Sequence, residues 1–124
     1  MKQLDDVIEW NEIAGNELFN GNGRPSRGDI NLIDALLSEE LDELMQGMHS
    51  KSRLETLDAL CDIQYVLLGA VYRLGFAPVF EEAFDEVQRS NMTKFPEGVV
   101  TRRDDGKILK PDSYDKPDLT PFIS

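Results

Sequence analysis

Two long stretches of helical periodicity, separated by a short break, constrain this chain most. In the first, apolar side chains recur every three or four positions, at Ile33, Leu37, Leu41, Leu44 and Met48. This spacing predicts an amphipathic helix over residues 30–48, because positions three and four apart share one face. Gly47 and the polar pair after Met48 are expected to weaken the end of this helix.

The second stretch begins at a helix-start signal and is apolar on almost every side. Ser52 is followed three residues later by Glu55, the pattern of a capping box, so a helix is expected to begin there and run to Gly75. Between Leu57 and Leu74 few positions are polar. A helix that is apolar all round is typical of the centre of a bundle, so burial is expected.

Shorter signals predict two further helices. Residues 3–15 have helical spacing and end at Gly15, which can adopt the left-handed conformation that stops a helix. Three glycines and a proline predict a loop over residues 20–29. Pro78 suits the first turn of a fourth helix, which is expected to fade near residues 93–96.

The last thirty residues have a different character. Asp105-Gly106 lies between two short apolar runs, which predicts a hairpin, and three prolines follow. We therefore predict an all-α fold: a bundle of about four helices over residues 3–95, and an extended tail over 96–124 that packs on another surface or subunit. The whole chain, 1–124, is interpreted as one domain.

Charge and size restrict the partners. The chain has 24 acidic and 13 basic residues and a net charge of -11, so attraction to nucleic acid or to an anionic membrane is disfavoured. The longest apolar run is interrupted by Asp58, Asp62 and Gln64, and no basic-then-apolar leader opens the chain. A cytoplasmic location is expected. A chain of this length has a lean core, which favours self-association as a dimer or tetramer.

The reactive residues available are mainly carboxylates. A single cysteine, Cys61, and a single histidine, His49, exclude an intrachain disulfide and a multi-thiolate zinc site and make a Ser-His-Asp triad hard to build. Glu39, Glu40 and Glu43 share one helix face. This cluster is either a solvated acidic surface or a cation site, because a divalent cation relieves the repulsion between its charges.

Two aspartates favour the cation site. Asp58 and Asp62 lie one turn apart in the most apolar stretch of the chain, where an unpaired ionised carboxylate costs several kcal/mol. The alternatives are ion pairs with Arg73, Arg89 or Lys94, or protonation. Several carboxylate oxygens without histidine or thiolate ligands favour Mg²⁺ or Mn²⁺. Basic and amide side chains beyond the fourth helix suit the phosphates of a metal-bound triphosphate: Asn91, Lys94, Lys107 and Lys110.

The order of these motifs resembles a known family. It consists of Glu39-Glu-Leu-Asp-Glu43, then Asp58-Ala-Leu-Cys-Asp62, then Asn91-Met-Thr-Lys94, then Asp105-Gly-Lys-Ile-Leu-Lys-Pro. Over residues 4–119 the chain resembles the all-α nucleoside triphosphate pyrophosphohydrolases, in the MazG-like branch close to phosphoribosyl-ATP pyrophosphohydrolase. The resemblance implies Mg²⁺-dependent hydrolysis between the α- and β-phosphates, giving a nucleoside monophosphate and pyrophosphate, in a dimeric or tetrameric helical bundle.

The resemblance also implies roles for individual residues. Glu40, Glu43 and Asp62 match the metal ligands, Asp58 matches a ligand of the phosphoribosyl-ATP-like subgroup, and Glu39 matches the carboxylate that activates water. Asn91 and Lys94 match a segment associated with substrate phosphates. Trp10 and Asn11 occupy the region that meets the base, although core packing explains Trp10 equally well.

Two questions stay open at this level. The substrate could be a damaged or ordinary nucleoside triphosphate, or phosphoribosyl-ATP. The chain could also be a non-catalytic acidic helical protein that mimics nucleic-acid charge, in which case its carboxylates would be spread over exposed faces. Burial of Asp58 and Asp62 opposite Glu40 and Glu43 would favour the enzyme.

Overall fold

A computed structural model describes residues 1–19, 21 and 23–123 of the chain. Two compact units are present, Met1–Pro78 and a second that begins at Val79. Asn20 and Asn22, part of the predicted loop, lie outside the described residues. Across the described part of the chain the regular structure is helical, with no β-strand, which confirms the all-α prediction. None of the described helices is long and apolar enough to cross a membrane.

The first unit contains three helices. They are α1 (Lys2–Ala14), α2 (Arg27–His49) and α3 (Arg53–Arg73). The first and third lie close to their predicted bounds, but the second begins at Arg27, three residues before the predicted start and inside the predicted loop. Gly15 ends α1 with a φ of 75°, in the left-handed conformation expected of it. The Ser52 side chain accepts a hydrogen bond of 3.2 Å from the backbone N–H of Glu55, which starts α3 where the capping pattern predicts.

The core of this unit forms where α2 and α1 both pack on α3. Buried apolar side chains come from α1 and from α3, including Leu4, Val7, Ala59, Leu68 and Val71. The prediction that α3 is buried along its length is therefore right only in part. Leu54 and Leu57, near its start, are 80% and 62% exposed. In the single chain, one face of the first half of α3 lies on the surface.

Gly47 lies in the last turn of α2 and lets α2 and α3 approach closely. The helix continues to His49, and Gly47 is buried against the first turn of α3. A Cβ atom at this position would lie 2.9 Å from the backbone nitrogen of Thr56, which is closer than such atoms approach. The absence of a side chain is thus required by packing. The helix ends within one residue of its predicted end.

Gly47→Ala should destabilise the protein. The added methyl group must displace the backbone of α3, at a cost of about 1–3 kcal/mol that exceeds the gain in helix propensity of about 1 kcal/mol. Chemical denaturation of both proteins measures the difference. Gly28→Ala is the matched control on the same helix, because a Cβ there would meet only Ser26 Oγ at 3.8 Å. An unchanged midpoint for Gly47→Ala would contradict the close approach.

The second unit is built on one helix, α4 (Phe80–Met92). It ends at Met92, close to the predicted end, but Pro78 precedes it, since its N-cap is Val79. Phe84, on this helix, is 60% exposed. The predicted hairpin is reduced to one antiparallel bridge between Arg102 and Ile108.

The C-terminal segment is fastened to α4 by polar contacts. Arg89 pairs with Glu86 at 2.6 Å and with Asp115 at 3.1 Å. Buried Ser90 donates to the backbone carbonyl of Asp115 at 2.7 Å, and the backbone N–H of Asp118 donates to Glu86. The hydrogen bond from Arg89, followed by that from Asp118, lowers the pKa of Glu86 to about 2. The tail is thus ordered by side chains of its own unit.

Candidate active site

Three carboxylates from two helices converge in the first unit. Glu40 and Glu43, three residues apart on α2, face Asp62 on α3, and one oxygen of each lies within 4.8 Å of the others. Glu40 and Asp62 are half-buried, and Glu43 is exposed. Packing of α2 on α3 positions the group, which needs no loop residue.

Burial and charge repulsion in this group act most strongly on Glu40. Its Oε2 is buried, and no described residue donates a hydrogen bond to it. Burial, followed by the charges of Glu43, Asp62 and Glu39, raises the pKa of Glu40 from its ordinary value of 4.5 to about 7. Without a counter-charge, the group therefore resists full ionisation at neutral pH.

A hard divalent cation fits this donor set. Such ions take carboxylate oxygens as ligands, and one positive ion would satisfy the buried oxygen of Glu40 and offset the repulsion within the group. Three oxygens from two helices also leave coordination positions for water or for phosphate oxygens. Among the described residues, the converging group includes neither histidine nor cysteine, which disfavours softer metals.

The metal-free protein should lose stability as the pH rises from about 5 to about 8. Because the pKa of Glu40 is about 7 in the folded state and 4.5 ordinarily, the folded state binds more protons in that window, and the free energy of unfolding falls with pH. Glu40→Gln should give a flatter profile. Thermal unfolding in chelator at several pH values measures both slopes, and equal slopes would contradict the raised pKa.

The remaining predicted acidic residues lie beside this group rather than in it. Glu39 is exposed and is close enough for its charge to raise the pKa of Glu40. Asp58 is exposed, so the prediction that both aspartates are buried is wrong for this one. It is not among the carboxylates that converge with Glu40.

The ion pairs considered as alternatives for the aspartates are not formed between described residues. Arg73 pairs with Asp29, at 3.6 Å, and Arg89 pairs with Glu86 and Asp115. Lys94 lies near the ring of Tyr114, 5.8 Å from its centroid. Within the first unit, no described ion pair includes Asp62, and the carboxylates that converge with it are Glu40 and Glu43.

A cavity of about 580 Å³ extends from Asp62 between the three helices of the first unit. Trp10 lines it and meets Tyr65 edge to face, with ring centroids 6.1 Å apart. Asn11 also lines it but is buried, donating to the Val7 carbonyl and accepting from Asn16, both at 2.8 Å. Both residues that were predicted to contact the base thus line the same cavity as Asp62.

The same cavity contains residues that the sequence analysis did not assign to the site. Asp62, Tyr65, Gly69 and Arg73 all line it and recur at helical spacing along α3. That spacing is the signal that could have identified them, because it places them on one helix face with Asp62. Arg73 had been considered only as an ion-pair partner for the aspartates.

The predicted phosphate ligands all lie in the second unit. The side chains of Lys94 and Lys110 approach the same ring, that of Tyr114, with ammonium nitrogens 5.8 and 5.1 Å from its centroid. Asn91 is exposed at the end of α4, and Lys107 is exposed after the Asp105-Gly106 turn. Tyr114, which brings the two lysines together by cation–π contact, was not identified from the sequence.

Residues 18–91 match the profile of one protein family, described as phosphoribosyl-ATP pyrophosphohydrolase. This segment contains α2, α3 and the three converging carboxylates, and it covers more than half of the chain. The chain belongs to the phosphoribosyl-ATP pyrophosphohydrolase family. This family is part of the all-α nucleoside triphosphate pyrophosphohydrolase superfamily, as the motif order indicated. No curated protein matches the chain.

Membership of the phosphoribosyl-ATP pyrophosphohydrolase family decides the class of protein. The chain is a hydrolase that acts on phosphoanhydride bonds, so the reading as a non-catalytic charge mimic is wrong. The family match is shorter than the resemblance over residues 4–119. Trp10 and Asn11 precede it, and Lys94, Lys107 and Lys110 follow it, so these five residues depend on position in the structure or on motif similarity alone.

Proposed function

We propose that this protein is a Mg²⁺-dependent nucleoside triphosphate pyrophosphohydrolase that cleaves between the α- and β-phosphates. The observation that carries the proposal is Glu40, whose Oε2 is buried without a partner among the described residues and whose carboxylate offers a ligand atom within 4.8 Å of those of Glu43 and Asp62. A family of phosphoanhydride hydrolases needs charge compensation for phosphates, and among the described residues this group of carboxylates is suited to hold a cation. Mn²⁺ would suit the same oxygens.

Glu40, Glu43 and Asp62 would hold the cation. When bound, a divalent cation polarises the phosphoryl oxygens and neutralises their charge. The carboxylates keep their positions because they stand on packed helices, so little reorganisation accompanies the reaction. Glu40 must release its proton to act as a ligand, which its pKa of about 7 permits at neutral pH. Asp58 stays a candidate for a further ligand on the resemblance alone.

Glu39 is the proposed general base. It lies beside Glu40 on α2 and is exposed, so a water molecule can reach it. The Glu39 carboxylate takes a proton from that water while the water oxygen bonds to the α-phosphorus. The bond between the α-phosphorus and the oxygen that bridges it to the β-phosphorus breaks. Pyrophosphate leaves with the bridging oxygen, and the nucleoside monophosphate remains. Asn91, Lys94, Lys107 and Lys110 are proposed phosphate ligands on the basis of motif and charge.

The cavity beyond Asp62 is the proposed site of the nucleoside. Trp10 and Tyr65 supply aromatic surface for a base, and apolar residues of α2 form the opposite wall. Asn11 is already hydrogen-bonded on both sides of its amide, so we assign it the role of holding the wall in place. Phosphoribosyl-ATP is a second candidate substrate, favoured by the description of the family that the chain belongs to.

Pyrophosphate release tests the proposal. Purified protein is incubated with canonical and modified nucleoside triphosphates and with phosphoribosyl-ATP, in Mg²⁺, in Mn²⁺ and in chelator. The expected result is release that requires a cation and yields the monophosphate. Release of orthophosphate, or equal rates in chelator, would exclude this reaction. Turnover of phosphoribosyl-ATP alone would select the second candidate.

We also propose that the protein self-associates through its α2–α3 hairpin. Large apolar side chains on both helices are exposed in the single chain, among them Leu41, Met45, Leu54, Leu57 and Leu60. Two helices form half of a four-helix bundle, and a second copy of the hairpin would complete its core. Light scattering after size exclusion gives the mass directly. A monomer at high concentration would contradict the proposal.

A further inference from the structure

The guanidinium of Arg73 is a half-buried donor group, and no described residue accepts a hydrogen bond from it. It lines the cavity beyond Asp62, and its side chain is only 19% exposed. Among the described residues, its ion-pair partner is Asp29, whose Oδ1 lies 3.6 Å from Nη1. That distance exceeds the normal range of a hydrogen bond, so the N–H groups of Arg73 are still available to a ligand.

The chemistry of arginine restricts what this ligand can be. A guanidinium has five N–H donors, carries no acceptor and does not lose its charge at physiological pH. A group that can only donate would leave both partners unsatisfied in a half-buried site. The matching group is therefore a hydrogen-bond acceptor, such as a carbonyl oxygen, held at the Arg73 end of the cavity.

The position of Arg73 relates this acceptor to the proposed substrate. Asp62 and Arg73 are eleven residues apart on α3, which is about 16 Å along the helix. Tyr65 and Gly69 line the cavity between them. If phosphates lie at Asp62, as proposed above, the sugar and base extend past Tyr65, and the base edge far from the sugar faces Arg73.

Gly69 leaves room for a flat ring at this level of the helix. A Cβ atom there would lie 3.8 Å from Asn11 Nδ2, an ordinary contact, so the packing of Asn11 does not require a glycine. The consequence of the missing side chain is an open cavity wall between Tyr65 and Arg73.

We propose that Arg73 selects nucleotides whose base carries a carbonyl oxygen on the edge far from the sugar. This inference rests on the proposed function, and it names the substrate class as oxo bases, such as uracil, thymine and hypoxanthine. Cytosine and adenine present an amino group at the same position. Its N–H donors would then face the N–H donors of Arg73, and no hydrogen bond would form. The loss of a charge-assisted hydrogen bond corresponds to a preference of roughly 10- to 100-fold.

The test uses Trp10, the single tryptophan of the chain, as a reporter in the same cavity. Its fluorescence is followed while the α,β-imido analogues of dUTP and dCTP, which cannot be cleaved, are titrated in Mg²⁺. The intact protein should bind the uracil analogue roughly 10- to 100-fold more tightly. Arg73→Leu should bring the two affinities together, mainly by weakening the uracil analogue.

Two further variants make the test specific. Arg53→Leu removes an exposed arginine at the start of the same helix, outside the cavity, and should leave the preference unchanged. Arg73→Gln covers the case in which Arg73→Leu fails to fold. Its amide can either donate or accept, so it should also remove the preference.

Three results would overturn the assignment: equal affinities in the intact protein, a preference that survives both Arg73 variants, or no binding of either analogue. The pyrophosphate assay separates this failure from failure of the proposed reaction. Cation-dependent hydrolysis without a preference between dUTP and dCTP would reject the role of Arg73 alone. Selective binding of the uracil analogue without hydrolysis of any triphosphate would reject the reaction alone.

Discussion

Glu40→Gln should lower turnover by about 10²- to 10³-fold while leaving the fold intact. The amide keeps the size of the side chain but presents one neutral oxygen and an N–H₂ group where two anionic oxygens stood. Its half-buried position, beside Glu43 on α2 and facing Asp62 on α3, places that change among the converging carboxylates. Rates of pyrophosphate release at saturating Mg²⁺ measure the loss.

Two controls separate loss of the cation site from loss of structure. Asp42→Asn removes an exposed carboxylate from the same helix, outside the converging group, and should leave turnover within about twofold of the intact protein. Glu40→Gln without metal should unfold at the same temperature as the intact protein or higher, because a like charge has been removed. Near-normal turnover in Glu40→Gln would reject its assignment as a ligand.

The helices could be predicted because their signals are local. Ser52 and Gly15 act on backbone groups within one turn, and each ends or begins a helix where expected. Burial depends on what covers a surface, which no local signal contains. Leu54 and Leu57 lie in the most apolar stretch of the chain and are nevertheless exposed in the single chain. The pattern indicates an apolar surface but not its partner.

Some positions in the carboxylate group follow from local spacing, and others depend on tertiary packing. The spacing of Glu40 and Glu43 places them on one face of α2, and this needs no tertiary information. Asp62 reaches them only because α3 packs on α2 with a particular rotation and axial level. The helical spacing places Arg73 on one face of α3 with Asp62, but the cavity that this face lines depends on the packing of three helices. From helix propensity, Gly47 was expected only to weaken the end of α2. Its structural role depends on a contact between helices, because a side chain there would meet the backbone of Thr56.

The comparison of Asp62→Asn with Asp58→Asn tests the arrangement of α3 most directly. The two residues are one turn apart, about 6 Å along the axis, so only one of them lies level with the glutamates of α2. Asp62 is half-buried within the group, and Asp58 is exposed outside it. Asp62→Asn should therefore lower turnover by at least about 100-fold, and Asp58→Asn should lower it less than about tenfold.

Without metal, the variant that loses turnover should gain stability. Asp62→Asn removes one of the charges that raise the pKa of Glu40, so repulsion falls and the melting temperature in chelator should rise. Asp58→Asn should leave it unchanged. Added Mg²⁺ should stabilise the intact protein and Asp58→Asn, but not Asp62→Asn, since a ligand that binds only the folded state raises its stability. Equal losses of turnover in both variants, with equal responses to Mg²⁺, would mean that Asp58 is a ligand too. The cation would then bind across two turns of α3 rather than one.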